Sequence, residues 1–282
     1  MSFVRPLGAV SMRGARHLAA LASLVVLASC GGNVSRSEPY VPDRLVSFGD
    51  ELSLIEETSA NDHNGRKYTV NAVDSTNTAV LACSSNPIWS QYVAAGYGFK
   101  YAQCNPNNEV PKAVSYAELN ATVDMVATQV ATYNVGFNNQ TLVTLMIGTR
   151  DVLDAYESVK SGTPLADALA LMEAKGTQVG ALITQLVNNG AGARVLFALV
   201  PDVSYSPYAV SEEALVAGRQ AMLRSLVKKF NDTAMLKMPG NGRWAALVGT
   251  ENPVASYAEQ FFKGVTNGYT DVTHAGCTVA LP

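Results

Sequence analysis

The chain has 282 residues, of which 48% are hydrophobic and 15% charged, enough apolar material for one sizeable core. Its formal net charge of −3, from 20 basic and 23 acidic residues, argues against nucleic acid as a partner. Three histidines and four cysteines, without metal-ligand spacing among them, give no reason to expect a metal or another cofactor.

The chain opens with Arg5, Arg13, Arg16 and His17, followed by an uncharged apolar run over 18–27 and then small residues. That is the pattern of a secretory signal, too short to span a bilayer as a mature helix. It ends in Leu27-Ala28-Ser29-Cys30, which has the form of a bacterial lipobox. Cleavage there would make Cys30 the acylated N-terminus, and two or more acyl chains suffice for stable anchoring. The expected organisation is a signal peptide over 1–29, a lipidated Cys30 with a Gly-, Ser-, Asn- and Pro-rich tether over 30–43, and a globular domain over 44–282. The membrane is then a partner through the lipid. Gly31 supplies no inner-membrane retention signal, so the expected place is the outer membrane, on its periplasmic or surface face.

Along the domain, the run 44–48 reads as a buried strand ending at Gly49-Asp50. Residues 65–71 alternate weakly, like an exposed strand or hairpin arm, and 87–95 follow a helical pattern. Ser115-Tyr116-Ala117-Glu118 has the form of a capping box, opening a helix with Leu119, Val123, Val126, Val130 and Tyr133 on one face. The continuous apolar run 142–147 suits a strand covered on both sides. Thr163-Pro164 opens a helix reaching about residue 188. There follow a strand over 194–200, a helix over 211–235, a strand over 244–248 and a helix over 253–265. Strands alternating with helices predict an α/β fold, a three-layer sandwich around a mostly parallel sheet. Ligands of such sheets sit at the carboxyl ends of the strands, so the residues after Phe48, Ile147 and Val200 are the ones to read for chemistry. In an exported chain cysteines pair, and Cys83 with Cys104 would close a loop of ordinary size, leaving Cys277 over.

Phe48-Gly49-Asp50-Glu51-Leu52-Ser53 resembles the opening block of the SGNH/GDSL ester hydrolases, Phe-Gly-Asp-Ser-Leu-Ser, with Glu51 at the nucleophile's position. Gly148-Thr149-Arg150-Asp151 is similar to the family's Gly-x-Asn-Asp block, with Arg150 at the position of the oxyanion-hole asparagine. Asn86-Pro87-Ile88-Trp89-Ser90-Gln91-Tyr92 and Val200-Pro201-Asp202-Val203 add further likeness, in order, at strand ends. The resemblance implies a flavodoxin-like SGNH hydrolase fold and a cleft containing Asp50, Glu51, Gly148, Arg150 and Asp151. In the family a serine attacks an acyl carbonyl, a histidine takes its proton, and fixed donors hold the oxyanion. The glycine block that supplies a further donor has no assignable counterpart, although Gly96 and Gly98 stand near its place.

Asp271-Val272-Thr273-His274 matches the family's Asp-x-x-His literally. Its surroundings also match a second register, Gly-Phe-x-Asn-Val-Thr to Cys, in which the true block would follow and the domain would lack its C-terminal segment, including a partner for Cys277. Both registers stand. Plainer roles exist for each residue: Asp50 a turn, Glu51 and Arg150 solvated charges, Asp151 a helix cap, His274 a loop histidine, Trp89 and Tyr92 packing residues.

The expected function is a lipid-anchored envelope protein of SGNH/GDSL type with lost or weak ester hydrolysis and a binding role toward an acyl or glycan ligand. One alternative is an active esterase or lipase with His274 as base and Ser53 or Ser47 as nucleophile; another is a truncated, non-functional hydrolase. Because Glu51 and Arg150 replace two residues that face one cleft, the two are expected to form an ion pair there.

Overall fold

A computed structural model describes residues 39–57, 64–69, 71–134, 136–188 and 192–264, together with Gly268, Asp271 and His274. Residues 1–38, Cys30 among them, and Cys277 lie outside the described residues. The chain divides into two units, Met1–Tyr40 and Val41–Pro282, and the second carries the fold.

Five parallel strands form the central sheet: β1 Arg44–Gly49, β4 Ala113–Ser115, β5 Thr141–Met146, β6 Arg194–Ala198 and β7 Ala245–Val248. Their order is β4-β1-β5-β6-β7, and a two-stranded ribbon, β2 Ile55–Glu56 with β3 Arg66–Lys67, stands apart. Numbered within the sheet alone, this is the order 2-1-3-4-5 of flavodoxin-like doubly wound folds. The α/β fold class read from the sequence is therefore the observed one. β1 and β5 pair in register from Arg44↔Thr141 to Gly49↔Met146.

The helices are α1 Trp89–Gly96, α2 Val123–Tyr133, α3 Thr149–Lys160, α4 Leu165–Asn188, α5 Pro207–Leu215, α6 Arg219–Lys237 and α7 Glu251–Phe262. One face of the sheet presents Val46, Phe48, Val143, Leu145, Val195 and Phe197 to the apolar stripes of α2, α4 and α6, making one continuous core. The opposite face presents Leu45, Ser47, Thr144 and Met146, all buried. α1 and the segment 83–104 cover part of it. Cys83 and Cys104 are joined there by a disulfide with 5.6 Å between their Cα atoms.

Two elements differ from the sequence reading. Ser115 does not cap a helix. Strand pairing to β1, with Ser47↔Ser115 in register, claims it instead, and its hydroxyl donates to the Ser53 carbonyl at 2.9 Å. The helix starts at Val123, so Leu119 falls outside it and is largely exposed. The helix expected over 211–235 is two. Ser206 caps α5 by accepting the Ala209 N–H at 3.2 Å, with Pro207 in the first turn. The chain then breaks before Gly218, which adopts a φ of 94° and opens α6. A serine-proline cap upstream and a glycine downstream are sequence signals that the apolar periodicity overrode.

Candidate functional site

The order reverses between β1 and β5, and the residues leaving these two strands meet at their carboxyl ends. Gly49 ends β1 with φ 139°, and a Cβ there would lie 2.0 Å from the Met146 carbonyl oxygen, so the backbone can pass only as glycine. Gln129 of α2 clamps the same peptide unit, accepting the Gly49 N–H at 3.3 Å.

Asp50 follows, with no exposed surface. Its Oδ1 accepts the Leu52 N–H at 3.1 Å. Its Oδ2 has no aligned hydrogen bond, although Thr149, whose hydroxyl is likewise without one, lies against the carboxyl. Burial, reinforced by the neighbouring Glu51 charge, pushes the Asp50 carboxyl up to about 7 against the opposing Leu52 N–H and Thr149.

Glu51 and Arg150 do not pair, and the expected ion pair is corrected here. Glu51 Oε2 accepts the backbone N–H of Asn120 at 3.1 Å, on the turn after β4, where Asn120 takes a left-handed φ of 56°. Arg150 instead forms a two-point pair with Asp154 one helical turn on, Nε to Oδ2 at 3.0 Å and a terminal nitrogen to Oδ1 at 2.7 Å. The i,i+4 spacing within α3 offers the guanidinium a carboxylate without crossing the cleft. Asn120 was not singled out from the sequence. Asparagine's tolerance of left-handed turns was the available signal.

Gly148 is required for packing. At its φ of 120° a Cβ would come within 2.4 Å of the Phe230 ring and 2.9 Å of Val200. Asp151 sits inside α3's first turn and is almost fully buried. It caps another helix, accepting the Val123 N–H that starts α2 at 3.0 Å, with the Lys175 ammonium 3.5 Å away. Burial holds its carboxyl above the usual range despite these partners.

Neither candidate serine is accessible. Ser47 is fully buried between Tyr101 Oη at 2.5 Å and Thr144 Oγ1 at 2.6 Å, and the fully buried Ser53 hydroxyl accepts Trp89 Nε1–H at 3.0 Å. Asp271 and His274 are in contact, Nδ1 to Oδ2 at 2.5 Å, on the surface, with the His274 side chain 83% exposed.

A cleft of about 460 Å³ opens at the carboxyl ends of the strands, lined by Leu52, Trp89, Met146, Pro201, Thr250 and Val254 among others. Its size suits a small ligand and its lining is chiefly apolar. Glu51, Arg150, Asp271 and His274 are not in that lining. Among the described residues, no three or more His, Cys, Asp or Glu side chains are grouped to hold a metal ion, and no helix is long and apolar enough to cross a membrane.

No protein-family model matches the sequence, and no curated protein does. Among solved structures, the chain is similar to an extracellular lipase from Streptomyces rimosus, at 17% identity and a TM-score of 0.42 over 76% of this chain and 82% of that one. It is also similar to a member of the lipolytic protein G-D-S-L family from Veillonella parvula DSM 2008, at 11% identity and a TM-score of 0.36 over 82% and 88% of the two chains. Such identities speak to fold alone, and such TM-scores add nothing to the strand order already described.

Proposed function

We propose that the chain is an exported envelope protein of SGNH/GDSL type, anchored through a lipidated Cys30, whose cleft holds an acyl compound and hydrolyses esters weakly or not at all. The observation that carries this reading is the placement of Glu51. A carboxylate stands where the resembling family has its nucleophile, and it accepts a backbone N–H on the turn beside the end of β1. An acyl-transfer oxyanion needs unoccupied donors and no adjacent negative charge. Here a donor is already answered by a fixed charge, Arg150 is engaged with Asp154, and the serines nearby are buried in other hydrogen bonds. The chiefly apolar lining of the cleft supports a ligand with an acyl chain.

The second reading, an active esterase, is favoured by one observation, the contact between Asp271 and His274. A histidine so oriented is a usable base, but it needs a nucleophile within reach. The test is turnover of p-nitrophenyl butyrate by the purified full chain, alongside hexanoate binding followed by tryptophan fluorescence, with Trp244→Phe isolating the Trp89 signal. Binding without turnover supports the first reading. Turnover lost in His274→Ala supports the second.

A further inference from the structure

The layer that covers the second face of the sheet contains another hollow, separated from the cleft by Pro87, which lines both. Its volume is about 490 Å³, within the range of small-molecule sites. The floor is the Tyr101 ring, Gln91 and Cys104; Tyr92, Phe99 and Asn107 stand around it. Tyr92 is 67% exposed, although α1 buries its neighbours Ser90, Gln91 and Ala94. The ring is therefore not the packing residue that the sequence suggested.

Three properties define what the hollow can hold. First, it is neutral: Lys100 is the one charged residue in the lining, and it is ion-paired with Glu109. Second, its lining has three aromatic rings, Tyr92, Phe99 and Tyr101, where the cleft beyond Pro87 has Trp89 alone, and its exposed polar side chains include Ser84 and Asn107, the Gln91 and Asn105 amides being bonded to the backbone. Third, its wall is fixed in advance. The buried Lys67 ammonium donates to the carbonyls of Cys83, at 3.0 Å, Asn86, at 2.9 Å, and Ser85, and the disulfide ties this wall to the floor. Gln91 adds a further tie, donating to the Cys83 carbonyl at 3.2 Å. Such pre-organisation removes the ordering cost that weakens binding at loops.

We propose that this hollow is a binding site for a neutral saccharide, with sugar C–H faces on Tyr92 and Phe99 and ring hydroxyls toward Asn107 and Ser84. Sugar rings present an apolar face and an equatorial rim that both donates and accepts, which aromatic rings and amides match and aliphatic linings do not. The site goes beyond the acyl cleft and does not require it.

The test uses the full chain in a detergent without a sugar headgroup, and saturation-transfer NMR with cellotriose, maltotriose and chitotriose. At least one is expected to bind with a dissociation constant below about 10 mM. Tyr92→Ala should weaken it at least about tenfold and Tyr92→Phe should retain it. Hexanoate, which reads the cleft, should not displace it. Absence of binding by all three sugars overturns the proposal, as does equal binding by Tyr92→Ala, or displacement by hexanoate or a proline-rich peptide. Should Tyr92→Ala fail to fold, Asn107→Ala provides the same comparison. Loss of hexanoate binding with saccharide binding intact would contradict the acyl reading alone.

Discussion

The two faces of the central sheet are held by different forces. On the helical side, Phe48, Leu145, Phe197 and Ile147 pack against α2, α4 and α6 in a chiefly apolar core, with Gln129 and Asn231 among the few buried polar side chains of those helices. On the other side, Ser47, Thr144 and Tyr101 share short hydrogen bonds, Lys67 is enclosed by carbonyls, and a disulfide closes the segment 83–104. The first face is stabilised chiefly by burial, which apolar residues of similar volume serve with modest loss. The second depends on individual donors and acceptors, each costly to leave unmet. Both candidate binding sites involve this second layer, where precise placement is available.

The largest effect is expected in the apolar face. Phe197→Ala, at a fully buried ring, should destabilise by about 3–5 kcal/mol in urea unfolding, and Phe197→Leu by much less.

A comparable effect at the boundary between the faces depends on pH. The Asp50 carboxyl is raised from 3.8 to about 7, so the folded chain retains a proton that the unfolded chain releases. Stability should therefore fall as pH rises from about 4 to about 7 and then level off, by at most about 4 kcal/mol. Asp50→Asn keeps the acceptor for Leu52 and should remove this decline. Matched unfolding curves at pH 5 and 8 check it, and an identical decline in the variant would contradict the assignment.

In the polar layer, replacing Cys83 and Cys104 by alanine should cost about 2–4 kcal/mol, given the 21-residue separation. The loss should be concentrated in hydrogen-exchange protection of α1 rather than of α4 and α6. The smallest effect belongs to the charged replacements. Arg150 and Asp154 are both well exposed, so Arg150→Ala should change stability by only about 0–1 kcal/mol. A double-mutant cycle between Glu51 and Arg150 should show no coupling.

The same contrast explains what could be read in advance. The strands 44–49 and 141–146 are legible as the apolar runs 44–48 and 142–147, each followed by glycine, and α4 by its Pro-led periodic stripe. Those are properties of single segments. The partner of Glu51 is a backbone amide 69 residues away, and Asp151 caps a helix 28 residues upstream; neither distance leaves a local mark. The motif places Arg150 across the cleft from Glu51, but Asp154, four residues on along the same helix, is the nearer carboxylate. Lys67 and Tyr92 gave no periodic signal, since one is buried by loop carbonyls and the other faces a hollow made by a folded-back segment.

Under the proposed function, the Glu51 carboxylate after β1 leaves no room for acyl transfer. The direct measurement is p-nitrophenyl butyrate hydrolysis by the purified full chain and by His274→Ala. Both should show the same rate, at or near the uncatalysed background. Turnover by the unaltered chain that is abolished in His274→Ala would contradict it.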